Sequence, residues 1–281
     1  MKPTKPYVRI LTLLPLLALV MSLNQCSCSD TLGSLFVTEQ DEAKIGAQFD
    51  AELRGKTTEY PLFKANTPRK AQFEEYVQGV FRKILSNVPA DQKPGYDFKL
   101  TLVDQPIINA FAVPGGYVYL YTGIVDSMQA ESELAGVLAH EISHVTHHHY
   151  RDAMMKTAGI SLIIDALSGS DSSQLKKAVG GIFGQLASLQ VSRSNESEAD
   201  AYGTRYLAYA GWDPYGISDF FFRMPSEGIA WLSTHPAPTD RVQAVKDLVH
   251  AEGEGQNGQP AWNSGAKYIP RFLEQKTNLH N

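Results

Sequence analysis

The chain has 281 residues, enough for one large domain with tails, and at 43% apolar and 20% charged it has the composition of an ordinary globular protein. Its formal net charge is −5, with 25 Lys and Arg against 30 Asp and Glu. Beyond the N-terminus no basic block stands out, so the charge pattern gives no support for a nucleic-acid partner.

The chain opens on a segment of a different kind. Lys2, Lys5 and Arg9 precede 14 uncharged residues, Ile10 to Leu23. A basic start followed by an apolar run, shorter than the roughly 20 residues of a spanning helix, predicts a secretory signal over residues 1–25, with a retained membrane anchor as the alternative. Both cysteines, Cys26 and Cys28, follow directly, which leaves none for a disulfide framework or a thiolate metal site in the body of the chain. Leu23-Asn24-Gln25-Cys26 resembles a bacterial lipoprotein box, although Asn24 and Gln25 are larger and more polar than the small residues usual there. Cys26 is thus the candidate for lipidation, and simple cleavage with release is the alternative. On either reading the body is expected outside the cytoplasm, and the resemblance to a bacterial lipoprotein implies a periplasmic place, free or lipid-anchored to the outer or inner membrane.

Residues 38–54 read as a helix capped by Thr38, with acids in the first turn. Residues 67–88 read as a second, capped by Thr67, with Pro68 first and Phe73, Val77, Val80, Phe81 and Ile84 on one apolar stripe. Tyr96 to Asp104 alternates as a strand. Residues 109–125 read as strand, Pro114-Gly115-Gly116 turn and strand, and the aromatic, β-branched stretch from Tyr117 suits an edge. A helix begins near Glu131 to Glu133 and carries five of the eight histidines. Further helices are expected over 154–167, 174–190, 194–210, from Pro214 to about Arg223, and from Thr239, with a loop at 168–173 and a helix-ending Gly211. The apolar stretch 155–190 is broken by Asp165, Asp171, Lys176 and Lys177, so it reads as buried helix rather than a membrane span. It suits a lid or plain core equally. The chain is therefore expected to be α+β and mostly helical, with a small sheet. Its main domain covers residues 35–250, and a loose polar tail runs from 251 to 281.

Chemistry concentrates in His140-Glu141-Ile142-Ser143-His144. Residues four apart share a helical face, so the two imidazoles can bind one metal ion while Glu141 projects beside it to take a proton from water. A zinc site needs a third protein ligand and an open position. Glu196 and Asp200, also four apart, can supply a ligand and an acceptor for the N–H of a ligand histidine from a second helix. The remaining trio, His147, His148 and His149, reads as a solvated helix end, because on a straight helix His148 lies about 12 Å from His140 along the axis. His235, before a proline, is open to three readings: a fourth ligand that shuts out water, a hydrogen-bond donor to a tetrahedral intermediate, or a simple His-Pro turn. Arg241 reads first as a structural partner of a nearby Asp or Glu.

HEXXH followed by Glu196-Ser197-Glu198-Ala199-Asp200 resembles the gluzincin family that includes the CAAX prenyl proteases and the bacterial heat-shock membrane metalloproteases. The stretch 109–125 and the Ser233-Thr234-His235-Pro236 to Arg241 segment are similar to that family as well, so the resemblance spans about Ala43 to Val249. It implies a zincin-like fold whose sheet edge borders the cleft. It also implies one Zn²⁺ per chain held by His140, His144 and Glu196, with Glu141 as the base. It further implies a substrate-pairing edge strand, here Tyr117, Val118, Tyr119, Leu120 and Tyr121, suited to unfolded or misassembled envelope proteins. Within the family the chain resembles the soluble periplasmic branch, with a role in protein quality control. The rival expectation is a latent or non-catalytic zinc-containing lipoprotein that acts as a chaperone or scaffold.

Overall fold

A computed structural model describes residues 37–158, 163, 166–167, 172–183, 191–224, 230–231, 235, 239–253, 262 and 265–281. The expected signal, Cys26, Cys28 and most of the 168–173 loop lie outside the described residues, as do parts of the 155–190 and 233–241 segments. Among the described residues no helix is long and apolar enough to cross a membrane.

Helix α1 spans Glu39–Gly55, and its Thr38 cap is reciprocal: Thr38 accepts from the Asp41 amide while Asp41 accepts from the Thr38 amide. Helix α2, Pro68–Asn87, starts at Thr67 with proline in its first turn, and it buries the predicted stripe of Phe73, Val77, Val80, Phe81 and Ile84.

Three strands follow: β1 at Lys99–Val103, β2 at Ala110–Val113 and β3 at Tyr117–Tyr121, in the order β1-β3-β2. β2 and β3 form an antiparallel hairpin, and β1 pairs with β3 in parallel. The hairpin turn needs both of its glycines, Gly115 at φ 81° and Gly116 at φ 88°. Tyr117 to Tyr121, expected at an edge, is instead the central strand. Its alternation of tyrosine with Val118 and Leu120 reflects burial on two faces, not solvent exposure on one. Val118 and Leu120 join the core with α2. Tyr117, Tyr119 and Tyr121 face a second cluster with Ile45, Phe49 and Leu53 of α1. Leu62 bridges to Val103 on the far side of β1, and among the described residues β2 takes no strand partner on its outer side. The chain leaves β3 directly into a short helix, α3, at Thr122–Ser127, which the sequence pattern did not announce.

Helix α4, Glu131–Thr146, is buried along its whole length. Leu134, Leu138, Ile142 and Val145 share one face, and His140 and His144 leave the helix from another. Helix α5, His149–Ala158, and α6, Ser172–Phe183, continue the chain. Helix α7, Arg193–Tyr209, packs most closely on α4. Gly203 allows that approach: a Cβ there would stand 3.0 Å from the His140 nitrogen. Helices α8, Gly216–Arg223, and α9, Thr239–Glu252, close the other side.

The expected loose tail contains an ordered helix, α10, at Ile269–Leu279. Its Phe272 and Leu279 are buried, and the Lys267 carbonyl just before it accepts from the Glu131 amide at 3.0 Å. The composition of the segment is polar because only one face of α10 is covered. The two buried side chains seven residues apart fix that face.

Candidate metal centre

α4 and α7 bring the sequence motifs together. Along α4, His140 and His144 stand one turn apart with their Nε2 atoms 3.0 Å from each other. From α7, Glu196 reaches between them, Oε2 lying 3.6 Å from His140 Nε2 and Oε1 3.3 Å from His144 Nε2. One ligand-type atom from each of His140, His144, Glu196 and His235 falls within 4.8 Å of all the others, and all four residues are buried.

The set suits a small divalent cation. Two nitrogens and a carboxylate oxygen at bond lengths of about 2.0–2.2 Å around a tetrahedral ion would lie roughly 3.3–3.5 Å apart, close to the spacings seen. Burial holds both imidazoles well below their ordinary range, so their lone pairs are free for coordination. Neither Glu196 oxygen accepts a hydrogen bond of ordinary geometry, which for a buried carboxylate asks for a positive partner. Arg241 supplies part of it through Nη1, 2.8 Å from Oε2.

The outer nitrogens are also engaged. His140 Nδ1 lies 3.0 Å from Asp200 Oδ1, the partnership anticipated from the spacing of Glu196 and Asp200. Arg241 grips the same Asp200 in bidentate fashion at 2.6 and 2.7 Å. Its expected carboxylate pairing thus falls on the two acids of the centre itself.

His149 departs from expectation. The trio at 147–149 is no solvated helix end, because α4 stops at Thr146 and His148 adopts φ 56°. That reversal returns His149, only 3% exposed, to within 2.9 Å of His144 Nδ1. His148 is held by Glu42 of α1 at 2.8 Å, and His147 stacks on Tyr202. Tyr150, next in sequence, packs on the His144 ring and keeps its hydroxyl buried without a hydrogen-bond partner. Neither His149 nor Tyr150 belongs to a pattern of fixed spacing, so nothing in the sequence singled them out.

Glu141 is fully buried on the face of α4 toward β2. Burial, with Glu196 close by, pushes its carboxyl up to about 8. Oε1 faces the Trp231 indole N–H at 3.4 Å and His235 Nε2 at 3.5 Å, while Oε2 accepts no hydrogen bond of ordinary geometry. The Ala112 amide of β2 approaches the same carboxylate. Asn109 pairs with Tyr121 across the hairpin, so the alternation of an antiparallel ladder turns the backbone groups of Ala110 and Ala112 outward, past Glu141. His235 packs on both ligand-type imidazoles, with ring centroids 5.2 and 5.4 Å away, and on Trp231. The arrangement can bind a metal ion, hold a proton acceptor beside it and present a strand edge that is unpaired among the described residues.

The profile of peptidase family M48 matches residues 71–249. A putative beta-barrel assembly-enhancing protease of Vibrio cholerae is 36% identical over 183 residues, which is 60% of this chain and 37% of the relative. The beta-barrel assembly-enhancing protease of Escherichia coli K12 is 30% identical over 221 residues, covering 73% and 43%. The mitochondrial metalloendopeptidase OMA1 of Schizosaccharomyces pombe is 32% identical over 181 residues, covering 61% and 52%. The chain spans between a third and about half of the length of these relatives.

Proposed function

Since the chain belongs to peptidase family M48, we propose that it is a zinc-dependent endopeptidase of the bacterial cell envelope that hydrolyses peptide bonds in misfolded or misassembled proteins. The observation that carries the reading is the convergence of His140, His144 and Glu196 around one point, with Glu141 Oε2 unpartnered beside it. His140, His144 and Glu196 are the metal ligands and Glu141 the base. Zinc, when bound, supplies Lewis acidity that polarises a scissile carbonyl and acidifies water.

The chain's own groups do the rest. Glu141 takes a proton from the attacking water at Oε2 and passes it to the departing amine nitrogen. The Trp231 indole N–H holds Oε1 and so aims the other oxygen. Asp200 keeps the His140 Nδ1 proton outward, leaving Nε2 to coordinate. An extended substrate pairs with the outward backbone groups of Ala110 and Ala112 on β2, a mode that accepts many sequences and requires an unfolded segment. The envelope location rests on the basic-then-apolar N-terminus and on the likeness to the bacterial beta-barrel assembly-enhancing proteases. Lipidation at Cys26 would make it membrane-associated.

The complete burial of Glu141 and His235 favours a second reading, a latent form of the same enzyme. One experiment addresses both. With casein as substrate, the zinc-loaded chain should cleave, chelation with EDTA should abolish cleavage, and Glu141→Gln should retain zinc while losing about 10²–10⁴-fold in rate. A Glu141→Gln chain as active as the original ends the enzyme reading. A zinc-loaded original that leaves casein intact favours latency.

A further inference from the structure

We propose that His149 is a positioning residue for the metal centre: seated on Glu198, it fixes the ring tautomer of His144 and thereby the metal affinity of the site. The proposal rests on the reading of His144 as a ligand.

Three short distances form one chain. His144 Nε2 points into the centre, 3.3 Å from Glu196 Oε1. His144 Nδ1 lies 2.9 Å from His149 Nδ1. His149 Nε2 lies 3.2 Å from Glu198 Oε2. Across a hydrogen bond between two ring nitrogens, such as His144 Nδ1 and His149 Nδ1, one donates and the other accepts. The far end decides which. The carboxylate of Glu198 only accepts, so His149 Nε2 carries the hydrogen and donates it. A neutral His149 then has a lone pair at Nδ1, and His144 Nδ1–H donates to it. His144 is left with its lone pair on Nε2, the atom that faces the centre. The order of protons along Glu198, His149 and His144 thus has a single consistent direction, and it ends in a ligand-competent imidazole.

The arrangement has a looser counterpart on the other side of the site, where Asp200 Oδ1 stands 3.0 Å from His140 Nδ1 without hydrogen-bond geometry. Outer hydrogen bonds of this kind select the tautomer and hold the ring plane of a ligand histidine. A neutral imidazole does the task for His144 where a carboxylate does it for His140. Two features hold His149 in place: the positive φ of His148, and the contact of His148 Nδ1 with the Glu42 carboxylate at 2.8 Å that keeps the reversal. Glu198 is about half-exposed, so water competes for its end of the chain, whereas the His144–His149 bond is buried.

The test uses the full chain and its His149 variants. His149→Leu removes the acceptor. His149→Asn keeps an oxygen near the position of Nδ1. Zinc affinity is measured by competition with a chromogenic chelator, and the His144 tautomer by ¹⁵N-resolved NMR of the metal-free chain, with thermal melting to verify folding. His149→Leu should weaken zinc binding by about 10–100-fold and shift the His144 proton away from Nδ1, while His149→Asn should stay within about tenfold of the original. Glu198→Ala should lose less than His149→Leu. If folded His149→Leu binds zinc as the original does with His144 unchanged, or if His149→Asn falls as far as His149→Leu, the proposal is overturned. An original chain that takes up no zinc overturns the ligand reading as well, which separates the two failures.

Discussion

Arg241 spans two carboxylates with all three of its guanidinium nitrogens, Nε and Nη2 on Asp200 and Nη1 on Glu196. At 7% exposure it is the buried charge that makes two adjacent acids tolerable. Removing it leaves both without that counter-charge, so Arg241→Met should lower the unfolding free energy of the metal-free chain by about 3–5 kcal/mol in urea titration. Arg241→Lys should fall between, because an ammonium cannot reproduce the planar fork. A loss under about 1 kcal/mol for Arg241→Met would mean that the acids are neutralised some other way. At this scale the sequence was legible where chemistry is written as fixed spacing on one helix: His140, Glu141 and His144, then Glu196 and Asp200. It was silent where a backbone reversal decides. A straight helix would carry the trio at 147–149 away from the centre, and the positive φ of His148, which brings His149 to His144, has no side-chain signature.

The contact between α4 and α7 sets the spacing of the centre, because each helix contributes ligand-type side chains. Gly203 sits where they touch, and an added methyl would stand 3.0 Å from the His140 nitrogen and 3.1 Å from its Cα. Gly203→Ala should therefore cost about 1–3 kcal/mol and weaken zinc binding as α7 is pushed off the histidines. Gly211→Ala is the control: its φ is 81° but nothing lies within 4 Å of the added atom, so it should cost about 1–2 kcal/mol and leave zinc affinity unchanged. Chelator competition and thermal melting on both variants separate the two effects. If Gly203→Ala left affinity intact, the close approach would matter for packing alone. Helix boundaries were readable because caps and stripes are local, as at Thr38 and Thr67. The place of β3 in the sheet was not, since a strand buried on both faces by two different layers can alternate like one exposed on a single face. Only the pairing of β1 with β3, 18 residues on, distinguishes the cases.

On the scale of the molecule, the sheet lies between two apolar clusters, and α10 returns from the C-terminal side to hold the start of α4. Glu131, wholly buried at that start, accepts from Tyr76, Trp212 and Arg271, so three distant segments meet on the first turn of the helix that bears the histidines. Such long-range closure leaves only a polar composition in the sequence, which is why residues 251–281 read as a tail. The outcome of this packing is a graded burial of the eight histidines. His250 and His280 face solvent, His147 and His148 are half-buried, and His140, His144, His149 and His235 are 3% exposed or less. An acylating reagent for imidazole, followed by peptide mass spectrometry, should therefore modify the first pair quickly and the last four only in molecules that have opened. Labelling of His140 as fast as that of His280 would contradict the enclosure described here. Where the four are slow, their common rate is a clock: it counts how often the interior of this centre meets water, with no substrate and no turnover required.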